Sequence, residues 1–151
     1  MIHVYFVDRK KIDETLDYME SLFPLIDQLQ KRNRAIEELA LERVCYLLIE
    51  SIIDVGNSII DGFIMRDPGS YADIVDILID EKVISNEHGE SLKQIVQCRK
   101  EIIQTTGTID HDNLYDLLCT HWQALTAFPS KVRLYVENEL GPVSAFLPKT
   151  D

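Results

Sequence analysis

The sequence has 151 residues, of which 46% are hydrophobic and 27% charged, so it is long enough for one domain with its own core and too apolar for a disordered chain. Its formal net charge of -11 argues against broad binding to a nucleic-acid backbone, which needs clustered Lys and Arg, but agrees with a small cationic site or a basic protein partner. The amino terminus lacks a signal-peptide pattern and no apolar run is long enough to span a bilayer, so we expect a cytoplasmic protein without a membrane segment.

The first predicted helix is indicated by apolar residues that recur at three- and four-residue steps from Ile12 to Leu29, the spacing of one helix face. Asp8 precedes this pattern and is a suitable N-cap, because its carboxylate accepts a hydrogen bond from the first turn. Pro24 lies inside the pattern, so the helix is expected to kink or break there.

A long second helix is predicted from about Asn33 to Phe63, before the turn signal Asp67-Pro68-Gly69. At about 100° per residue, its polar residues fall on one narrow stripe: Arg43, Glu50, Asp54, Asn57 and Asp61. The stripe is either a solvated edge or one wall of a polar cleft. Nearly all other residues from 44 to 64 are apolar and form a wide apolar arc around the helix. One bundle core is not expected to cover this arc, so a second interface is predicted, most simply a homodimer.

The next two helices have start signals in the sequence. A short third helix is expected from Ser70, with residues 70–73 as a capping box. Ser85 or Asn86 caps the fourth helix, and Gly107 is placed to stop it. The apolar residues expected on the buried face of the fourth helix are Leu92, Ile95, Val96, Ile102 and Ile103.

The fifth helix is expected to begin after the N-cap Asp110 and to end at the stop signal Gly141-Pro142. Pro129 falls within it and is expected to kink rather than end it, because the apolar spacing continues beyond. Four longer helices and one short one predict an all-α fold, an antiparallel four-helix bundle. The prediction is a single domain over residues 1–151, with a short C-terminal tail at residues 141–151.

No pattern for a metal or a cofactor is present. The four histidines are scattered without the spacing of zinc ligands, and the sequence has no Gly-rich phosphate loop and no Ser/His/Asp arrangement. The cysteines are an odd set without a CxxC pair, and are expected to be reduced and structural: Cys45, Cys98 and Cys119.

Several short strings occur in a fixed order along the chain: Glu42-Arg43-Val44, residues 49–57, Ser70-Tyr71 followed by Leu78, Val83-Ile84-Ser85, and residues 99–110. With the order of helices, they resemble the HepT-like family, also called DUF86 or UPF0331, of the HEPN superfamily of all-helical domains. The resemblance extends over roughly residues 8 to 136. It implies a homodimer of four-helix-bundle protomers and, for many members, a toxin whose antitoxin partner resembles a minimal nucleotidyltransferase.

The segment from residue 99 to residue 110 corresponds to the family motif Arg-x4-His-x-Tyr. Arg99 is the motif arginine, while Gln104 stands at the His position and Thr106 at the Tyr position. Lys100 stands where HEPN domains often carry Asn. The resemblance implies metal-independent RNA cleavage at the dimer cleft, with the motif Tyr as the residue to which the antitoxin attaches AMP.

The two substitutions remove groups that this chemistry needs. Metal-free RNA cleavage requires a base to take the 2′-OH proton and an acid to protonate the leaving oxygen, and His does both near neutral pH. The amide of Gln104 does not transfer protons in this way, and the hydroxyl of Thr106 lacks the reach and acidity of a phenol. Cleavage is therefore expected to be impaired, while Arg99 retains the ability to bind a phosphate.

Other residues are expected to complete a cleft around Arg99. Charges within a mostly buried helix need partners, so Arg99 is the expected partner of Glu50 or Asp54. His111 either reaches the cleft from the start of the last helix or faces solvent there. The residues predicted to form this cleft are Arg43, Glu50, Asp54, Asn57 and His111.

Two functions follow. In the first, the protein is of the toxin–antitoxin type, with RNA as substrate, an antitoxin partner and an impaired ribonuclease site. In the second, it is a non-catalytic dimeric HEPN module that binds a nucleotide, RNA or a protein partner. The missing proton-transfer group and the acidic charge favour the second interpretation.

Overall fold

Seven helical segments make up the regular structure of residues 5–142, the part of the chain that the computed structural model describes. The segments are α1 (Arg9–Gln28), α2 (Ala35–Gly62), α3 (Tyr71–Asp80), α4 (Asn86–Val96), α5 (Arg99–Ile102), α6 (His111–Thr120) and α7 (Trp122–Leu140). The predicted all-α fold is confirmed. Residues 143–151, most of the predicted C-terminal tail, lie outside the described residues.

Helix α2 lies at the centre of the bundle, in contact with α1, α3, α4, α5 and α6, while α7 packs against α1, α4 and α6. The core lies between these helices, and its fully buried side chains include Leu16, Met19, Ile26, Leu41, Leu48, Ile49, Ile52, Ile59, Ile60, Ile77, Leu78 and Phe128. Burial of each such side chain stabilises the fold by about 1.5–3 kcal/mol, so apolar packing is the main force that holds α2 in place.

The apolar arc of α2 is covered within one protomer, contrary to the prediction. Its buried members are Val44, Leu48, Ile49, Ile53, Val55, Ile59 and Ile60. Because α2 is central, both flanks of the arc meet other helices, which the periodicity of one helix does not reveal. Ile64, just beyond the C-cap Phe63, remains 72% exposed. The arc is therefore not available as a dimer interface, and a homodimer would have to form through a different surface.

The predicted helix starts are confirmed by side-chain caps. At four starts the cap accepts a hydrogen bond of 3.0–3.1 Å from the backbone N–H three residues later, and the caps are Asp8, Ser70, Ser85 and Asp110. Ser85 rather than Asn86 thus caps α4. Each cap satisfies a backbone donor that the helix leaves free and contributes about 1 kcal/mol.

The capping box at the start of α3 is only half formed. The carboxylate of Asp73 binds both terminal nitrogens of Arg66, at 2.7 and 2.8 Å, and the N–H of Gly69 at 2.8 Å, instead of turning back to Ser70. The hydrogen bond from Arg66 is the largest cause that lowers the pKa of Asp73 to about 2. These bonds tie the first turn of α3 to the chain segment before it.

The predicted fourth helix is divided, which the sequence analysis missed. Helix α4 ends at Val96, a turn follows at residues 97–98, and α5 ends at Ile102, well before Gly107. Gly107 has a positive φ of 68° and lies in the loop that follows. Ile102 is buried as predicted, but Ile103, the C-cap of α5, is 49% exposed.

The predicted fifth helix is also divided, at His121, between α6 and α7. Pro129 lies inside α7, which continues to Leu140 as predicted, and Gly141 closes it with a φ of 82°. Pro24 likewise lies inside α1, which continues to Gln28, so it does not break that helix.

Candidate functional site

Arg99 is held in place by two other helices. Its Nε donates a hydrogen bond of 2.6 Å to Oε1 of Glu50 on α2, and its guanidinium carbon lies 4.7 Å from the ring centroid of Tyr71 on α3. The bond to Glu50 is the largest cause that raises the pKa of Arg99. Of the two partners predicted for Arg99, the structure thus selects Glu50, and Asp54 makes no ion pair among the described residues.

Close packing of α3 on α2 places Tyr71 beside Arg99. A side chain at Gly56 of α2 would collide with Ile74 of α3, so Gly56 allows the two helices to approach. Tyr71 occupies the first turn of α3 and is 47% exposed. A ring face beside a guanidinium contributes about 0.5–1 kcal/mol at an exposed site, so this contact restricts where the Arg99 side chain lies.

The Arg99 guanidinium retains donors for a ligand. Its two terminal nitrogens make no hydrogen bond within residues 5–142. A depression of about 290 Å³ opens beside it, here called the Arg99 depression, lined by Tyr71, Ala72, Val96, Gln97, Arg99, Lys100 and Ile103. Two cations and no carboxylate line this depression, so it suits a phosphate or another small anion.

A second depression of about 290 Å³ shares Ile103 with the first. This Arg43 depression is lined by Leu39, Glu42, Arg43, Tyr46, Ile102 and Ile103. The guanidinium carbon of Arg43 lies 5.4 Å from the ring centroid of Tyr46, which repeats the Arg–Tyr arrangement of the first depression. Leu39 is 61% exposed, so the rim of this depression is apolar.

Gln104 and Thr106, at the motif's His and Tyr positions, are exposed in the loop after α5. The Thr106 hydroxyl lies 3.3 Å from that of Thr108. The Gln104 side chain makes no hydrogen bond within the described part of the chain, and neither residue bonds to Arg99. Both residues are therefore close to Arg99 in the sequence, but their side chains make no hydrogen bond to it in the structure.

His111 begins α6 and is paired with α2, so the expectation that it faces solvent is wrong. Its Nε2 lies 2.8 Å from Oε2 of Glu42, its Nδ1 lies 3.6 Å from Oε2 of Glu38, and its side chain is 16% exposed. Glu42 lines the Arg43 depression, so His111 is connected to that depression through a carboxylate. The same bonds also tie α6 to α2.

The polar stripe of α2 divides into two parts. Arg43 lines one depression and Glu50 holds the arginine of the other. Asp54, Asn57 and the exposed Asp61 line neither depression. The pKa of Asp54 is raised, first by partial burial and then by the charge of Glu50, while Lys11 lowers it. Of the stripe, only Arg43 and Glu50 therefore lie at the two depressions or hold a residue that lines one.

Sequence reasoning missed Tyr46, Tyr71 and Glu42 as members of the site. Tyr71 is 47% exposed and lies against the Arg99 guanidinium rather than in the core. No spacing in the sequence joins it to Arg99, because the two residues lie on different helices. The proximity of Tyr46 to Arg43, three residues apart on one helix, is a signal that helical spacing offers.

Within residues 5–142, no group of three or more His, Cys, Asp or Glu side chains is arranged to hold a metal ion. Within the same residues, no helix has both the length and the apolar character needed to cross a membrane.

Comparison with known proteins identifies the relatives of this chain. The family model described as Ribonuclease HepT-like matches residues 12–132. The Bacillus subtilis (strain 168) protein named "Putative RNase YutE" is 51% identical over 143 residues, which cover 95% of this chain and 99% of that protein.

Two solved structures share the fold. The structure of the cytosolic protein of unknown function YutE from Bacillus subtilis has a TM-score of 0.85 and 49% identity, covering 94% of this chain and 99% of that one. A crystal structure of a toxin–antitoxin with AMP-PNP has a TM-score of 0.74 over 82% of this chain and 97% of that one, and at 16% identity it shows the fold alone. From the match over most of its length and the identity to its bacterial relative, the chain belongs to the Ribonuclease HepT-like family.

Proposed function

We propose that this protein is a homodimeric, toxin–antitoxin-type member of its family that binds RNA through Arg99 and is impaired in RNA cleavage. One observation carries the proposal: an anchored arginine with free terminal donors stands beside a loop whose motif positions hold Gln104 and Thr106. Phosphate binding needs the first feature. Proton transfer needs a side chain that titrates near neutral pH, which neither loop residue provides.

The apolar rim between the two depressions supports a dimer at this face. Leu39 is 61% and Ile103 49% exposed, and exposed large apolar side chains are stabilised when a partner covers them. A second copy that covers this apolar rim would bring two Arg99 sites toward one interface, which agrees with the cleft implied by the family.

An antitoxin resembling a minimal nucleotidyltransferase is proposed as the protein partner. The family supports this partner, and the structural neighbour is itself described as a toxin–antitoxin. The net charge of -11 favours a basic surface on such a partner. The related Bacillus structure is described as that of a cytosolic protein, which supports a cytoplasmic location here.

The test measures RNA binding and RNA cleavage separately. Purified protein is incubated with tRNA and total RNA in the presence of a chelator, alongside Arg99→Ala and His111→Asn variants. We expect binding without appreciable cleavage, and binding about tenfold or more weaker for Arg99→Ala, since a hydrogen bond to a charged group contributes about 1.5–3 kcal/mol.

Cleavage by the native protein that Arg99→Ala abolishes would contradict the impairment. If His111→Asn also abolished it, His111 would be the proton-transfer group in place of Gln104. Equal RNA binding by the native protein and Arg99→Ala would contradict the role of the arginine itself.

A further inference from the structure

A larger depression lies at the opposite end of α4 from Arg99. It has a volume of about 530 Å³ and is here called the α4 N-terminal depression. Its lining residues are Ile79, Lys82, Val83, Ile84, Ser85, Asn86, His88, Lys131, Leu134, Tyr135 and Asn138. Helix α4 has 11 residues and is therefore roughly 16 Å long, so this depression and the Arg99 depression are separate sites.

The charge of this depression is opposite to that of the whole molecule. Asp and Glu account for 26 of the 151 residues, yet none lines it, whereas Lys82 and Lys131 both do. Neither lysine forms an ion pair within the described residues 5–142. Glu81, Glu87 and Glu139 are neighbours of lining residues in the sequence but are not part of the lining, although the charges of Glu139 and Glu81 contribute to the raised pKa of Tyr135. Two unpaired ammonium groups in a lining that contains no carboxylate favour an anionic ligand.

The remaining lining residues offer hydrogen bonds and an apolar wall. Leu134 is 52% exposed, and the ring of Tyr135 is fixed edge-on against Phe63, with 5.3 Å between the ring centroids. Burial is the largest cause that raises the pKa of Tyr135 to about 12, so its hydroxyl remains a donor at neutral pH. Asn86 and Asn138 supply amide groups that both donate and accept.

We propose that the α4 N-terminal depression binds an organic phosphate of mononucleotide size, with the phosphate at Lys82 and Lys131 and the organic part against Leu134 and Tyr135. Three features fit this class of ligand. The volume lies within the range of small-molecule sites, which combine apolar walls with a few polar groups. The cations match the phosphate. The depression also lies at the N-terminus of α4, where the helix dipole favours negative charge. This site is independent of RNA binding at Arg99.

The experiment titrates the isotope-labelled full-length protein with AMP and follows the backbone amide signals of residues 82–88. Adenosine and inorganic phosphate are titrated in parallel. We expect saturable shifts with AMP at a dissociation constant of about 1 mM or tighter, weaker binding of inorganic phosphate and no saturation with adenosine. Lys131→Glu is expected to weaken AMP binding tenfold or more, because it replaces an attractive charge with a repulsive one.

Matched variants separate this site from the rest of the surface. Lys31 is exposed, forms no ion pair among the described residues and does not line the depression, so Lys31→Glu makes the same charge change elsewhere and should leave AMP binding unchanged. Arg99→Ala should leave the AMP shifts of residues 82–88 unchanged, because the Arg99 depression is a separate site. Both lysines at the depression are exposed, so their substitution costs little stability.

Three results would overturn the proposal. The first is an absence of saturable AMP shifts in residues 82–88. The second is equal binding of AMP, adenosine and inorganic phosphate. The third is an equal loss of affinity in Lys131→Glu and Lys31→Glu. Loss of the AMP shifts in Arg99→Ala, with retention in Lys131→Glu, would assign phosphate binding to the Arg99 depression and also reject this site.

Discussion

Arg99 and the loop that carries Gln104 belong to one motif, but they differ in what holds them. Arg99 is bound to Glu50 at 2.6 Å and lies against the ring of Tyr71, so three helices fix its position. Gln104 is exposed, and its side chain is not hydrogen-bonded within the described residues. The Arg99 half of the motif is therefore fixed by the tertiary structure, whereas the half with Gln104 and Thr106 is an exposed surface loop. A substitution in that loop can change chemistry without changing the fold.

The largest effect is expected from restoring the family motif. A Gln104→His and Thr106→Tyr double variant should gain metal-independent RNA cleavage on the order of 10²-fold over the native protein, the lower range of general acid–base contributions. Its melting temperature should stay close to that of the native protein, because both positions are exposed. Cleavage of tRNA in the presence of a chelator and thermal unfolding are the two measurements.

A matched control for the motif test adds Arg99→Ala to the Gln104→His and Thr106→Tyr double variant. It should lose the gained activity, since the arginine proposed to bind the phosphate is absent. If the double variant binds RNA normally but does not cleave it, the loop does not hold the two side chains where the chemistry requires them. The division of the motif into a fixed arginine and a loop that alone limits cleavage would then be wrong.

The next effect concerns the proposed dimer surface at Leu39 and Ile103, since Ile103 lies between Arg99 and the loop that carries Gln104. Leu39→Asp combined with Ile103→Asp should shift a native dimer to monomer and raise its dissociation constant tenfold or more, because two charges would enter an apolar interface. Sedimentation at micromolar concentration measures this change. Leu25→Asp is the matched control, as Leu25 is 39% exposed on α1 and lines neither depression. A native monomer would refute the dimer.

A smaller effect is expected from the ring that supports Arg99. Tyr71→Ala should weaken RNA binding by roughly two- to fivefold, which corresponds to the 0.5–1 kcal/mol of an exposed cation–π contact. Fluorescence anisotropy with a labelled RNA is sufficient to detect this change. Tyr18→Ala removes a ring of similar exposure from α1 and should bind RNA as the native protein does. Equal weakening in both variants would show that the Tyr71 ring does not position the arginine.

The smallest effect is a pH dependence at the start of α3, the helix that carries Tyr71. The pKa of Asp73 is lowered from its ordinary 3.8 to about 2, mainly by Arg66, so its contribution to stability is fully present above pH 3.8 and is lost as the pH falls through about 2. Thermal unfolding between pH 2 and 5 should show a steeper loss for the native protein than for Asp73→Asn. Parallel curves would contradict this linkage.

The helices and their starts were readable from the sequence because both signals are local. Apolar spacing of three and four residues and a capping side chain at each start depend on neighbours within one or two turns, and Asp8, Ser85 and Asp110 cap their helices as predicted. The breaks at residues 97–98 and at His121 were missed, because neither carries a Gly or Pro signal.

The sequence by itself determined an all-α bundle, the starts of most helices and the motif positions at Arg99, Gln104 and Thr106, since each follows from residues close together in the chain. Only the tertiary structure decided that Arg99 pairs with Glu50, 49 residues away, that Tyr71 lies beside it, and that His111 binds carboxylates of α2. It also decided that one protomer covers the apolar arc of α2. Such contacts depend on how helices pack against one another, and the spacing of residues within one helix does not determine that packing.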